Sequence, residues 1–306
     1  MEKKKIHILL FYKYVGIKDL DDFRKKHLDL CNNLRLKGRI LVAEEGINGS
    51  VSGSEIEIEK YKKYMWKDWR FTDLKFKEDS SIEHPFKKMV VKIKQKILAF
   101  DNDVDINNKG KYISPKEFLD LYDDVGNLKN DVVLVDNRNE YEWKVGRFKG
   151  ALKPGVQKFR EFPKIAENLK GQEDKKIVMY CTGGIRCEKA SAYLKEQGFN
   201  DVSQLHGGIL EFGRECDSNV WEGKCFVFDR RLLSSINSNN ENLTNCELCN
   251  KGCDHYKDCR NPRCNRFVSL CSNCFDNFNG CCSDGCLEKY VGWLKEKEIK
   301  NMPIKI

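Results

Sequence analysis

Ile177-Val178-Met179-Tyr180-Cys181-Thr182-Gly183-Gly184-Ile185-Arg186-Cys187-Glu188-Lys189-Ala190 is the stretch on which the reading of this chain turns. Its first four residues form a short apolar run of the kind buried in a parallel sheet, and Cys187 to Gln197 reads as a helix. Between them, two adjacent glycines let the backbone fold tightly, so that successive N–H groups converge on one point with the positive end of the helix behind them. Such a cradle stabilises an anion: the Cys181 thiolate, or a persulfide carried on it. Arg186 adds a permanent positive charge that lowers the thiol pKa. Cys181 and Arg186 are the candidate catalytic residues, and Thr182, Gly183, Gly184 and Ile185 the loop residues against which substrate would bind. Cys187, in the first helical turn, could resolve an oxidised Cys181 or simply pack.

Outward from the loop, Val132 to Val135 is a second buried strand and Phe159 to Leu169 a second helix. This strand–helix alternation predicts a doubly wound α/β domain over residues 111–233, with its active loop at the carboxyl end of a strand. The aperiodic stretch Asp101 to Gly110 separates it from a first domain, residues 1–100. That domain reads as a strand (Ile6 to Val15), a helix (Asp19 to Leu34) and a strand (Gly38 to Glu45). A Gly46/Asn48/Gly49 turn, a short strand, a helix (Ser54 to Trp66) and strands from Leu74 and Lys88 follow. The order is that of an α+β sandwich of the ferredoxin or acylphosphatase kind. In Ala43-Glu44-Glu45-Gly46-Ile47-Asn48-Gly49, a hairpin turn is preferred over a phosphate-binding loop. Polar Ser234 to Asn242 reads as a connector to a third domain, residues 243–306.

The 306 residues, 40% of them hydrophobic and 33% charged, suit a folded, soluble chain of two or three domains, and a net charge of +8 favours polyanion partners or a solubilising surface. The apolar run after Met1 is too short for a signal peptide, and no stretch approaches a membrane span. Fifteen cysteines without an export signal imply a cytoplasmic protein that uses them for metal binding or thiol chemistry. Ten of the fifteen lie after residue 245. There, two Cys-x2-Cys pairs have the spacing that brings both sulfurs to one tetrahedral ion, and the tail has too little apolar content to fold unaided. Two zinc ions are expected: one held by Cys246, Cys249, Cys271 and Cys274, the other by Cys259, Cys264, Cys286 and either Cys281 or Cys282, with Cys282 preferred. Cys253 and His255 could enter either site. Lys251, Lys257, Arg260, Arg263 and Arg266, interleaved with Tyr256 and Phe267, could grip RNA or form a solvated structural knob.

The Cys181 loop resembles that of rhodaneses. Val135-Asp136-Asn137-Arg138-Asn139-Glu140-Tyr141-Glu142 with Gly146-Arg147-Phe148-Lys149-Gly150-Ala151 looks like that family's earlier signature. The resemblance implies that Asp136 and Arg138 brace the domain. Rhodaneses often carry histidine where this chain has Arg147. The Cys-x4-Arg loop resembles sulfurtransferases, whereas phosphatases of the same fold use one residue more. Over nearly the whole chain, these motifs with Ala43 to Ser50, Phe159 to Pro163 and Cys225 to Asp229 resemble the bacterial oxygen-dependent tRNA uridine hydroxylases. That likeness implies tRNA as partner, molecular oxygen as co-substrate, hydroxylation of the wobble uridine at C5, and Cys181 as the active-site cysteine. His7, His27, His84, His206 and His255 show no two-histidine, one-carboxylate iron pattern, no flavin fingerprint is present, and no motif names a protein partner. A persulfide-carrying sulfurtransferase and a non-catalytic, zinc-stabilised RNA-binding scaffold are the alternatives. His206-Gly207-Gly208-Ile209 is expected to close a turn beside the active loop.

Overall fold

Alternating burial along its strands decides how the first domain is built. The computed structural model describes residues 5–238, 243–264 and 266–301. Strand β1 (Ile6–Tyr14), helix α1 (Leu20–Asn33), strands β2 (Lys37–Ala43) and β3 (Gly46–Gly53), helix α2 (Glu55–Lys67) and strands β4 (Lys77–Ser81) and β5 (Met89–Ile93) follow in chain order. The sheet order is β4-β1-β3-β2-β5, antiparallel except for the β2–β5 pair. Leu9, Phe11, Ile40, Val42, Ile47 and Val51 pack under the two helices in one core. Because successive side chains leave a strand on opposite faces, Leu10, Tyr12, Leu41, Asn48 and Ser50 lie on the other side of the sheet. Lys77 sits opposite Leu10 across the β1–β4 pair. This second face looks toward the middle domain.

Two expectations for this domain need correction. The turn lies at Glu44–Glu45, where Ala43 pairs with Gly46, and Gly46, Asn48 and Gly49 belong to β3. The glycines there serve close strand approach: a Cβ on Gly49 would meet Phe11 and Ile40 side chains at 2.8 and 2.9 Å. The strand expected from Leu74 starts at Lys77, because a 3-10 turn at Trp69–Phe71 and the buried Leu74 behind it end the helical layer first.

The middle domain comprises β6 (Lys111–Ile113), α3 (Pro115–Leu119), β7 (Val132–Asp136), α4 (Glu140–Val145), β8 (Gly146–Phe148), α5 (Phe162–Asn168), β9 (Lys176–Tyr180), α6 (Ile185–Glu196), β10 (Asp201–Leu205) and α7 (Gly208–Glu215). Its parallel sheet runs β6-β10-β9-β7. Val133, Val135, Ile177 and Met179 pack against α5 and α6 on one face. Val132, Leu134, Val178 and Tyr180 pack against α3 and α7 on the other. Both faces are covered, which explains why these strands read as continuous apolar runs. The helix expected over Phe159 to Leu169 is divided into a 3-10 turn at Phe159–Glu161 and α5. Pro163 lacks an N–H and is tolerated only in a first turn, so the α-helix restarts around it.

Strands β11 (Trp221–Gly223), β12 (Cys225–Phe226) and β13 (Leu233–Ser234) lead out of the domain, with β11 on β8 and β12 on β13. The expected connector is docked over its first part: Ile236 is buried in the middle-domain core and Asn237 donates to the Ser218 and Trp221 carbonyls. Its residues 239–242 lie outside the described residues. The tail holds a β14 (Tyr256–Asp258) and β15 (Phe267–Ser269) hairpin, α8 (Ser272–Asn277) and α9 (Asp284–Asn301). Its core is little more than Val268 and Leu270 set among cysteines. Among the described residues, no helix is long and apolar enough to cross a membrane.

Candidate active site

Cys181 stands where β9 ends and the glycine loop begins. The Gly184 N–H donates to its Sγ at 3.1 Å. Gly184 takes φ +98°, in the left-handed region that glycine enters freely, and this turns its N–H inward. Burial pushes the Cys181 thiol up. A hydrogen bond from the Cys187 thiol, the Arg186 guanidinium and the Arg186 and Cys187 amides outweigh burial and hold Cys181 down at about 5. Cys187 is pushed the opposite way by its own burial and by the same hydrogen bond, and its Sγ accepts from Asn137 Nδ2 at 3.3 Å. The cradle therefore favours a thiolate on the first cysteine and a thiol on the second.

Arg186 is less free than its place in the loop suggested. Its guanidinium makes two bonds to the buried Glu142 carboxylate, at 2.7 and 2.9 Å, and one to Thr182 Oγ1 at 3.2 Å. Burial pushes the Glu142 carboxyl up, but Arg186 overrides it and keeps it ionised. Glu142 is the third residue of α4, where its carboxylate also accepts the Asn139 N–H in a capping box. Its charge offsets most of what Arg186 could give a substrate. Asp136 and Arg138 form a fully buried ion pair, with Arg138 also bonded to the Gly146 carbonyl. Arg147, in the histidine position of rhodaneses, lies over the Trp143 ring, 4.2 Å from its centroid.

The His206–Ile209 turn buttresses the loop from behind. Ile209 and Leu210 N–H groups donate to the Cys181 and Thr182 carbonyls at 3.0 and 3.1 Å. A Cβ on Gly208 would come 2.4 Å from the Cys181 oxygen. His206 itself is exposed and packs edge-on against Tyr112 rather than lining the site.

A cavity of about 430 Å³ opens over the sulfur, bounded by Cys181, Thr182, Gly183, Ile185 and Arg186 on the middle-domain side. Opposite them stand Leu10, Tyr12, Asn48, Ser50 and Lys77 from the second face of the first-domain sheet, with Phe228 and Asp229 closing one end. Exposed Arg39, Lys158 and Arg160 bring positive charge to the rim. The two domains are tied together beside it: the Tyr12 hydroxyl donates at 2.9 Å to Glu188, which also accepts from Tyr112 of its own domain at 2.5 Å, and Lys189 pairs with Glu45 at 2.7 Å. Of the first-domain residues, Asn48 and Ser50 lie within the Ala43 to Ser50 motif, whereas Leu10, Tyr12 and Lys77 belong to no motif. The signal for these last three is a strand whose apolar alternation leaves one face unclaimed by a helix.

In the tail, Cys246, Cys249, Cys271 and Cys274 form one group, and Cys259, Cys264, Cys282 and Cys286 another, the sulfurs of each lying within 4.8 Å of one another. Four thiols at that spacing suit a tetrahedral thiophilic ion such as zinc. Cys253 and His255 fall outside both groups, bonded to Ser269 Oγ and the Leu270 carbonyl. Cys281 is buried next to Cys259 and Cys286 of the second group but belongs to neither group. The tail aromatics are already engaged: Tyr256 stacks on Phe267, which packs against Tyr141 and Phe226. Arg266 pairs with Glu247, and Arg260 covers Phe275. The expected stacking faces in this segment are spent on packing.

Fold and loop together define a rhodanese-type protein with an acylphosphatase-like front and a cysteine-rich end. Residues 6–97 match the family model described as UPF0176 acylphosphatase like domain, 114–215 the rhodanese-like domain, and 222–287 the rhodanase C-terminal segment. The tRNA uridine(34) hydroxylase of Bacillus cytotoxicus is 44% identical over 277 residues, covering 88% of this chain and 84% of that one. The protein of the same name from Staphylococcus epidermidis is 42% identical over 286 residues, covering 91% and 88%. Among solved structures, a rhodanese-related protein from Thermoplasma volcanium is 23% identical, covers 34% of this chain and 92% of its own, and superposes with a TM-score of 0.27. The chain belongs to the tRNA uridine(34) hydroxylase family.

Proposed function

We propose that this chain hydroxylates the wobble uridine of tRNA, uridine 34, at C5 to give 5-hydroxyuridine, with Cys181 as nucleophile and molecular oxygen as co-substrate. The observation that carries the reading is a thiol held below its ordinary pKa at the floor of a cavity between two domains. A thiolate adds to C6 of a pyrimidine, and the addition makes C5 electron-rich and open to oxidation. Exposed Arg39, Lys158 and Arg160 at the rim suit the phosphates flanking an everted nucleotide, and Phe228, 61% exposed beside them, offers a ring for a base to stack on. Thr182, Gly183, Gly184 and Ile185 line or shape the floor. The two cysteine quartets would hold zinc and stabilise the tail. Such an enzyme works in the cytoplasm, where its tRNA is.

The same N–H cradle would also hold a persulfide, so sulfur transfer is the second reading. Mass spectrometry of tRNA nucleosides from cells with and without the gene separates the two. Loss of 5-hydroxyuridine and its derivatives on deletion, restored by the wild-type chain, supports hydroxylation. Loss of 2-thiouridine with 5-hydroxyuridine intact would overturn it in favour of sulfur transfer.

A further inference from the structure

Addition of a thiolate to C6 of uracil moves the C5–C6 π pair through C5 toward C4, and negative charge gathers on O4. A cation or N–H donor must meet that oxygen for the step to be fast. The loop arginine is poorly placed to do so, since its guanidinium is bonded twice to Glu142 and once to Thr182. The rim cations Arg39, Lys158 and Arg160 are exposed, and water screens them.

Lys77 differs from all of these. It begins β4, opposite Leu10 on the cavity face of the first-domain sheet, and is 8% exposed. Its stem passes over the catalytic loop, with Cδ 3.9 Å from where a Cβ on Gly183 would lie. The ammonium rests over the Tyr12 ring, 5.0 Å from the centroid, and makes no direct ion pair with a carboxylate among the described residues, Glu211 and Glu188 acting on it only from a distance. Burying an ammonium with no carboxylate in direct contact is unfavourable, so a lysine so placed is poised to take up an anion as negative charge moves from the sulfur to the substrate. Burial depresses the Lys77 pKa, while the Cys181 thiolate and, after it, Glu211 and Glu188 pull it back up.

Resting on the proposed hydroxylation of uridine, we infer that Lys77 is a further catalytic residue, supplied by the first domain, which donates an N–H to the uracil O4 as Cys181 adds to C6. In that step the Sγ–C6 bond forms, the C5–C6 π bond breaks, and the electron pair is held as an enolate against the Lys77 ammonium. No oxidant takes part at this stage. The arrangement gives the acylphosphatase-like domain a chemical task as well as a structural one.

The test uses full-length protein and an anticodon stem–loop carrying 5-fluorouridine at position 34, whose fluorine makes C6 more electrophilic. The covalent complex is read on a denaturing gel, and affinity by filter binding. Lys77→Met keeps the length of the stem in an apolar setting, and its thermal melting is compared with wild type to establish folding. For Lys77→Met, adduct formation on the order of 100-fold slower, with affinity within about threefold of wild type, is expected. Lys77→Arg, which keeps a donor, should recover part of the rate. A folded Lys77→Met protein that forms adduct at the wild-type rate would overturn the assignment, as would slowing explained wholly by weaker binding. Absence of adduct with the wild-type chain would instead overturn the addition chemistry of the proposed function, and this step with it.

Discussion

At the scale of single residues, the site is a contest between burial and nearby dipoles, decided at Cys181 by the loop. A thiol held near pH 5 stays ionised through neutrality and is protonated only as pH falls through that value. Alkylation of Cys181 by iodoacetamide, followed by peptide mass spectrometry, should therefore be almost flat from pH 8 to 6. A decline of about tenfold per pH unit over that range, as for an ordinary thiol, would contradict the cradle. Glu142 faces the opposite problem, because its removal would leave the buried Arg186 without a counter-ion, bonded to the Thr182 hydroxyl alone. Glu142→Ala should lower stability by about 3–5 kcal/mol in urea denaturation, and a loss under 1 kcal/mol would show the pair to be dispensable. Cys181 and Arg186 were legible in the sequence because strand, glycines and helix are contiguous. Glu142 stood in view within Asn139-Glu140-Tyr141-Glu142, yet its partner lies 44 positions along the chain, and nothing local pairs them. Lys77 is one lysine among many until β4 is laid beside β1.

At the scale of elements, the positive-φ Gly184 sets the geometry of the loop. A Cβ on Gly184 would meet the Tyr12 hydroxyl at 2.9 Å in a conformation costing non-glycine residues roughly 1–2 kcal/mol. Gly184→Ala should thus destabilise by about that amount and raise the Cys181 pKa, because the N–H aimed at the sulfur shifts. An alanine variant with wild-type stability and an unchanged alkylation profile would show the loop to be plastic. The sequence disclosed the elements whose pattern is self-contained, β7, β9 and α6 among them. It misplaced the first-domain turn, since Gly46 and Gly49 carry the usual marks of a turn but serve strand packing, a demand set at Gly46 by the Lys13 and Tyr14 backbone and at Gly49 by the Phe11 and Ile40 side chains. It also ran one helix across Pro163, where periodicity of the apolar residues continues although the hydrogen-bond ladder cannot.

At the scale of the whole molecule, the cavity exists only because two domains meet, and the tail only holds if its cysteines are drawn together. With a core of little beyond Val268 and Leu270, the tail should lose protection in hydrogen exchange once metal is stripped, while β1 and β9 keep theirs. Elemental analysis of chelator-free protein should find two zinc ions per chain, one for each quartet; none would refute the structural-zinc proposal. The spacing of the cysteines was enough to suggest this grouping in advance, whereas the inter-domain wall was invisible, being built from residues brought together only by the fold. The proposed chemistry comes down to one sulfur. Nucleoside mass spectrometry of tRNA from cells without the native gene or another route to 5-hydroxyuridine, but expressing the Cys181→Ser chain at the wild-type level, should find the modification missing; its presence at the wild-type level would contradict the role assigned to Cys181.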